Sequence, residues 1–126
     1  MARRALQEVL DDPWVAERRA AGGQILVTGI SGRIMHADEG VAALAGRTDV
    51  PTNAFDMIAP GSALEASAMV AKHLGRHIVS RFPWADTQGR RHWCRFEVRW
   101  PKGLIVMAVF PEDDPERQHI HAERVD

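Results

Sequence analysis

The spacing of apolar positions predicts a short helical opening, two strands, a run of short helices, and three closing strands. Ala5, Leu6, Val9 and Leu10 recur at helical spacing and give residues 2–21 one apolar stripe. Asp12 followed by Pro13 restarts the helix, since Asp caps a first turn and Pro is tolerated at the first helical position. Gly22-Gly23 ends it. A helix of this length is marginal alone and must dock on another surface.

From Gln24 the pattern becomes that of a sheet. Gln24–Ile30 is a strand, Ser31-Gly32 a tight turn, and Arg33–His36 the returning strand. Asp38 begins a short helix through Val41, Ala42 and Leu44 that closes at Gly46. A helical turn is expected around Asn53–Ile58, and a longer helix over Ser62–Leu74, with Leu64, Ala68 and Met69 toward a core. Ser62 and Glu65 have the spacing of a capping box. His77–Trp84 then runs into the turn Asp86-Thr87-Gln88-Gly89. Arg90–Trp100 alternates: Trp93, Arg95, Glu97 and Arg99 share one face, and Cys94, Phe96, Val98 and Trp100 the other. Pro101-Lys102-Gly103 leads to the apolar run Leu104–Phe110. The tail from Pro111 to Asp126 reads as loose, or as a linker beginning a helix.

A chain of 126 residues fits one domain, and 45% apolar with 26% charged residues is enough to exclude disorder of the whole. A formal charge of −1 supplies no basic field, so nucleic acid is not an expected partner. The arginine pairs Arg3/Arg4, Arg18/Arg19 and Arg90/Arg91 read as parts of a mixed, solvated surface. The polar residues Gln7, Glu8, Asp11 and Asp12 interrupt what would be the apolar core of a signal peptide. No stretch approaches the ~20 apolar residues of a membrane span, so the expected location is cytoplasmic, without a membrane partner. The lone Cys94 excludes an internal disulfide.

Several segments, in order, resemble the PAS domain family. Gly32-Arg33-Ile34-Met35-His36-Ala37-Asp38-Glu39 is similar to that family's glycine strand turn and Ala-Asn helix start. Leu44-Ala45-Gly46 is similar to its helix end, and Phe55-Asp56-Met57-Ile58-Ala59-Pro60 to its next helix. Phe82 through Trp93 is similar to its Asp-x-x-Gly hairpin. The resemblance covers roughly residues 24–110. It departs at Asp38, where the family usually has Asn, and at Ser31, where it usually has Asp; Asp38 keeps the capacity to cap a helix. The resemblance implies an α+β fold: a five-stranded antiparallel sheet in the order 2-1-5-4-3, short helices over one face, and an N-terminal cap helix. Three parts follow: residues 1–23 as cap or dimerisation helix, 24–110 as PAS core, and 111–126 as tail.

That fold implies a sensory domain that binds a small ligand or a protein partner, with no catalysis of its own. Face alternation assigns the pocket walls to Val27, Ile34, Leu44, Phe55, Ile58, Met69, Ile78, Phe82, Cys94, Phe96, Val106 and Ala108. A homodimer is expected through the N-terminal helix and the outer sheet face, with Trp14, Trp93 and Arg95 in the contact and Trp14 packed on Trp93.

No cofactor is identified from the residues. Among six histidines, His73 near the end of the Ser62–Leu74 helix is the candidate haem ligand, with a helix-capping histidine as the alternative. His36 and His92 read as ordinary strand residues, and His119 and His121 lack further metal ligands nearby. Cys94-Arg95-Phe96 is similar to the reactive-cysteine segment of flavin-binding LOV domains, but that segment lies on a mid-domain helix and this one in a late strand. A buried structural thiol and no flavin are therefore expected. Gly29-Ile30-Ser31-Gly32 is too short for a phosphate loop, and Asp38/Glu39 and Asp113/Asp114 are neighbours that do not converge. Two rival readings remain: a haem-binding PAS redox or gas sensor, and a small α+β enzyme with a cone-shaped pocket.

Overall fold

In a computed structural model that describes residues 2–112, 116 and 119–125, the N-terminal stripe forms two helices. These are α1 (Ala2–Leu10) and α2 (Pro13–Ala20). Asp12 starts α2 by accepting the Trp14 N–H at 2.8 Å, with Pro13 at the first helical position. The two glycines that follow have different tasks. Gly22 takes a left-handed φ of +95°, which turns the chain. Gly23 needs room: a Cβ there would lie 2.8 Å from the Phe110 ring and 3.0 Å from the Arg18 carbonyl.

Six strands make one sheet: β1 (Gln24–Thr28), β2 (Ile34–Ala37), β3 (Ile78–Ala85), β4 (Arg91–Arg99), β5 (Ile105–Pro111) and β6 (His121–Arg124). Their order is β2-β1-β5-β4-β3-β6, with every neighbouring pair antiparallel. The implied order 2-1-5-4-3 is present, extended by one strand from the tail. Residues 121–124 are therefore not loose, although Asp113, Asp114, Pro115 and residues 117, 118 and 126 lie outside the described part, as does Met1. β6 pairs along the free edge of β3, from Ile78↔Arg124 to Arg81↔His121, and satisfies backbone groups that an open edge would expose.

Between β2 and β3 the chain forms α3 (Val41–Leu44), two 3-10 turns (Ala54–Met57 and Pro60–Ser62) and α4 (Ala63–Lys72). Asn53 caps the first turn by accepting the Phe55 N–H at 2.9 Å. Two expectations fail on α4. Ser62 makes no side-chain capping bond, so the capping box does not form. Leu64 and Ala68 face solvent; Ala66 is the residue buried in the core, with Met69 packed at its edge.

The sheet buries both faces of its central strands. Leu26, Phe96, Val98, Ile105 and Val109 join the helices of the inner layer. Ile25, Val27, Val106, Ala108 and Phe110 lie under Val9 and Val15 of α1 and α2. The N-terminal helices thus cover the outer face of their own chain. Arg18 pairs with Glu97 at 3.0 Å, and the Arg99 guanidinium lies 5.0 Å from the Trp14 ring centre. Trp93 stands six residues from Arg99 on β4, about 20 Å along a strand, so Trp14 does not reach it.

Adding a methyl at Gly23 should therefore cost about 1–3 kcal/mol, because the ring and the carbonyl it meets are both held. Gly29→Ala is the control, since nothing lies within 4 Å of a Cβ there. Urea unfolding of Gly23→Ala and Gly29→Ala should separate the two; equal midpoints would contradict the close approach at Gly23.

Candidate functional site: an apolar cavity under the sheet

The inner face of the sheet does not close completely on the helices. A cavity of about 100 Å³ lies between β1, β3, β4 and β5 on one side and α4 with the Asn53–Ile58 segment on the other. Period-two alternation sends Ile78, Ser80, Phe82 and Trp84 of β3 inward, opposite Phe96 and Val98 of β4. The aromatic rings form a slab: Phe82 stacks on Phe96 at 4.0 Å, and Trp84 meets Phe96 edge-on at 5.0 Å. Leu26, Ile105 and Met107 complete the sheet wall, and Ala66, Val70 and Ile58 face them.

Two contacts hold the margins. Trp100 Nε1 donates to the Arg76 carbonyl at 2.6 Å, tying the segment after α4 to the end of β4. Gly32, with φ +91°, lets Phe55 lie against the β1–β2 turn, where a Cβ would strike the Phe55 ring at 2.5 Å. The mouth is apolar as well. Ile30 (66% exposed), Phe55 (43%) and Leu74 (62%) line the cavity while standing in solvent.

Of the residues expected to form the walls, Phe55, Ile58, Ile78, Phe82 and Phe96 do line the cavity. Ile34, Leu44 and Met69 pack against the inner core without reaching it, and Cys94 is buried within that core. Val27, Val106 and Ala108 are on the opposite face, under α1 and α2. The reason is local: β1 and β5 are apolar on both faces, so alternation alone gives no direction. Leu26, Thr28, Ile105 and Met107 are the residues of those strands that reach the cavity.

Cys94 donates weakly to the carbonyls of Leu44 (3.7 Å) and His92 (3.6 Å). Burial, with the negative charge of Glu112 adding to it, pushes its thiol up to about 12, so it is no nucleophile near neutral pH. His73 is buried at the C-terminus of α4 but is not part of the cavity wall; its Nδ1 accepts a long 3.5 Å contact from Arg124 of β6. The ring is thus placed at the helix end and against the C-terminal strand. Among the described residues, no three metal-ligating side chains converge.

Two carboxylates organise the surroundings. Asp86 heads the β3–β4 turn, accepting the Gln88 and Arg90 N–H groups at 2.9 Å and the Arg90 and His92 side chains at 3.0 Å. The His92 bond, with those of the turn amides, outweighs burial and holds its carboxyl well below the usual range. Asp38 does not cap α3, whose N-cap is Gly40. Its carboxylate turns to the outer layer instead, taking Arg19 through both oxygens (2.7 and 3.0 Å), the Ile25 N–H (2.9 Å) and His36 Nε2 (2.9 Å). Burial opposes its ionisation, but the Arg19, His36 and Ile25 hydrogen bonds win and hold the pKa at about 2. As an aspartate, residue 38 supplies the charge that a two-pronged arginine contact uses.

No family model and no curated protein sequence matches the chain. Solved structures do. One, described as "Flavin Analogue Sheds Light on Light-Oxygen-Voltage Domain Mechanism", superposes with a TM-score of 0.62 at 12% identity, covering 84% of this chain and 89% of that one. A domain of a sensory box sensor histidine kinase/response regulator from Geobacter sulfurreducens gives 0.53 at 10% identity, covering 79% and 97%. The PAS domain of a protein from Desulfitobacterium hafniense gives 0.51 at 12% identity, covering 82% and 92%. This chain therefore has a PAS-like fold. Among the described residues, no helix is long and apolar enough to cross a membrane.

The Asp38 contacts carry a pH signature. A carboxyl whose pKa is lowered on folding contributes stability above its ordinary value of 3.8 and loses it as pH falls toward about 2. Asp38→Asn should lower stability at pH 7 by about 1–3 kcal/mol, the usual cost of breaking charge-assisted hydrogen bonds. It should also flatten the acid limb of the stability curve between pH 4 and 2 relative to the parent. Thermal melts across that range check both, and parallel acid limbs would contradict the assignment.

Proposed function

We propose that this chain is a sensory, signal-transducing module in which a small ligand occupies the inner cavity and the terminal elements report its presence. The observation that carries this reading is an apolar cavity whose walls belong to the same strands that dock both ends of the chain. β1 and β5 present Leu26, Ile105 and Met107 to the cavity, while their alternate residues hold α1 and α2. β3 presents Ile78 and Ser80 to the cavity and pairs with β6 at those same residues. A change in how the walls pack must therefore be felt by one terminal element or the other. A ligand shifts that balance only by the difference in its affinity for the two arrangements.

The module performs no catalysis of its own in this reading. It acts as a homodimer in the cytoplasm, and its partner surface is built from the N-terminal helices. Since these already cover Ile25, Val27, Val106, Ala108 and Phe110 on the outer sheet face, the contact uses their remaining surface and the half-buried Trp14 rather than a bare sheet. Light scattering that reads a single-chain mass at micromolar concentration would remove the dimer from the proposal.

Filling the cavity from within mimics a ligand without identifying one. Val70→Phe should slow amide exchange in β3–β5 and change it several-fold in α1–α2 or β6. A folded Val70→Phe protein with unchanged exchange in both terminal elements would show a cavity that reports to nothing.

A further inference from the structure

We infer that the guest of this cavity is a small, uncharged, hydrocarbon-like molecule. This rests on the ligand-binding reading above and adds its chemical class. The guest would hold its body against Ile58, Phe82 and Phe96 and its outer end under Ile30, Phe55 and Leu74. Size is the first argument. A volume of about 100 Å³ is roughly two thirds of the ~150 Å³ apolar cavity that accepts a benzene ring. It also lies well below the ~300 Å³ at which pockets for drug-sized ligands begin. A guest of about four carbon atoms fits inside at that scale, and a larger one must extend through the mouth.

Wall chemistry is the second argument. No Asp, Glu, Lys, Arg, His or Cys is among the lining residues. The Thr28 hydroxyl is committed to the Gly29 carbonyl at 2.9 Å, and the Trp100 indole N–H to the Arg76 carbonyl at 2.6 Å. A carboxylate or ammonium group placed inside would lose its hydration with no opposite charge in the wall, a cost that a cavity of this size does not offset. Phosphate-bearing and carboxylate-bearing cofactors exceed the enclosed volume by their bulk.

The mouth is the third. Large apolar side chains standing in solvent are ordinary when scattered. Here three of them, Ile30, Phe55 and Leu74, come from separate parts of the chain and converge on one opening. A hydrocarbon guest crossing that opening removes their exposed surface from water together with its own. Ser80, on the β3 wall, carries the hydroxyl that separates the remaining alternative, a guest recognised through a hydrogen bond.

The test titrates the intact chain with toluene, 1-hexanol, hexanoate and hexylamine, following Ile58 and Ile78 methyl resonances and tryptophan fluorescence. Toluene and hexanol should shift both signals saturably, with hexanoate and hexylamine at least tenfold weaker. Ala66→Leu should weaken toluene more than tenfold, with Val70→Phe as the second filling variant should the first fail to fold. Ser80→Ala should leave toluene affinity within about twofold. Hexanoate or hexylamine binding as tightly as toluene would overturn the ligand class and leave the cavity reading standing. So would binding of hexanol alone, lost in Ser80→Ala. If no probe moves the Ile58 and Ile78 signals in the parent chain, the cavity reading fails along with the class.

Discussion

The fold depends on a requirement set by its central strands. β1 and β5 are apolar at successive positions, with Ile25, Leu26 and Val27 facing Val106, Met107 and Ala108 across the ladder. Side chains of a strand point alternately to opposite faces, so a pair of strands built this way has two faces that water disfavours. Both must be covered. On the inner face the cover is α3, α4 and the 3-10 turns; on the outer it is α1 and α2, which reach β1 through Gly22-Gly23. The N-terminal helices are thereby a layer of the domain rather than an appendage. Their removal would expose Ile25, Val27, Val106, Ala108 and Phe110 together.

On the proposed reading, coverage from both sides also makes the sheet a route for coupling. Asp38 sits where the layers meet, just after β2, holding Arg19 of α2 and the Ile25 N–H of β1 in one carboxylate. Arg19 is partly exposed, so this contact is of modest strength and can be rearranged. At the other side of the sheet, β6 is held mainly by its ladder to β3, with Arg124 near His73 at the end of α4. Firm central strands with more weakly held terminal elements suit a domain that converts occupancy of its interior into a change at its ends.

The element order, the turns at Gly32 and Gly89, and the inward face of β4 were legible because each leaves a local mark in the chain. Cys94, Phe96 and Val98 alternate with charged residues, and the charges name the outer face. β1 and β5 carry no such mark, so alternation alone does not distinguish Val27, Val106 and Ala108, which face α1 and α2, from the wall residues Leu26 and Met107. On α4, Leu64 reads as a core residue by type, yet the helix turns Ala66 inward, where it lines the cavity, and leaves Leu64 in solvent. β6 was illegible for a different reason. His121-Ala122-Glu123-Arg124 has no apolar face, and it forms a strand because β3 offers a free edge. Asp38 looked like a helix cap by its place in the motif; its attachment to Arg19 is a long-range contact with no local trace.

The central claim is that the inner face of this doubly covered sheet bounds an apolar space able to hold a guest. Crystals of the protein equilibrated under xenon pressure test it most directly, since xenon enters apolar cavities of this scale without needing any polar partner. The account predicts a xenon atom among Ile58, Ile78, Phe82 and Phe96. An interior filled by its own side chains, with xenon excluded from that position, would contradict it.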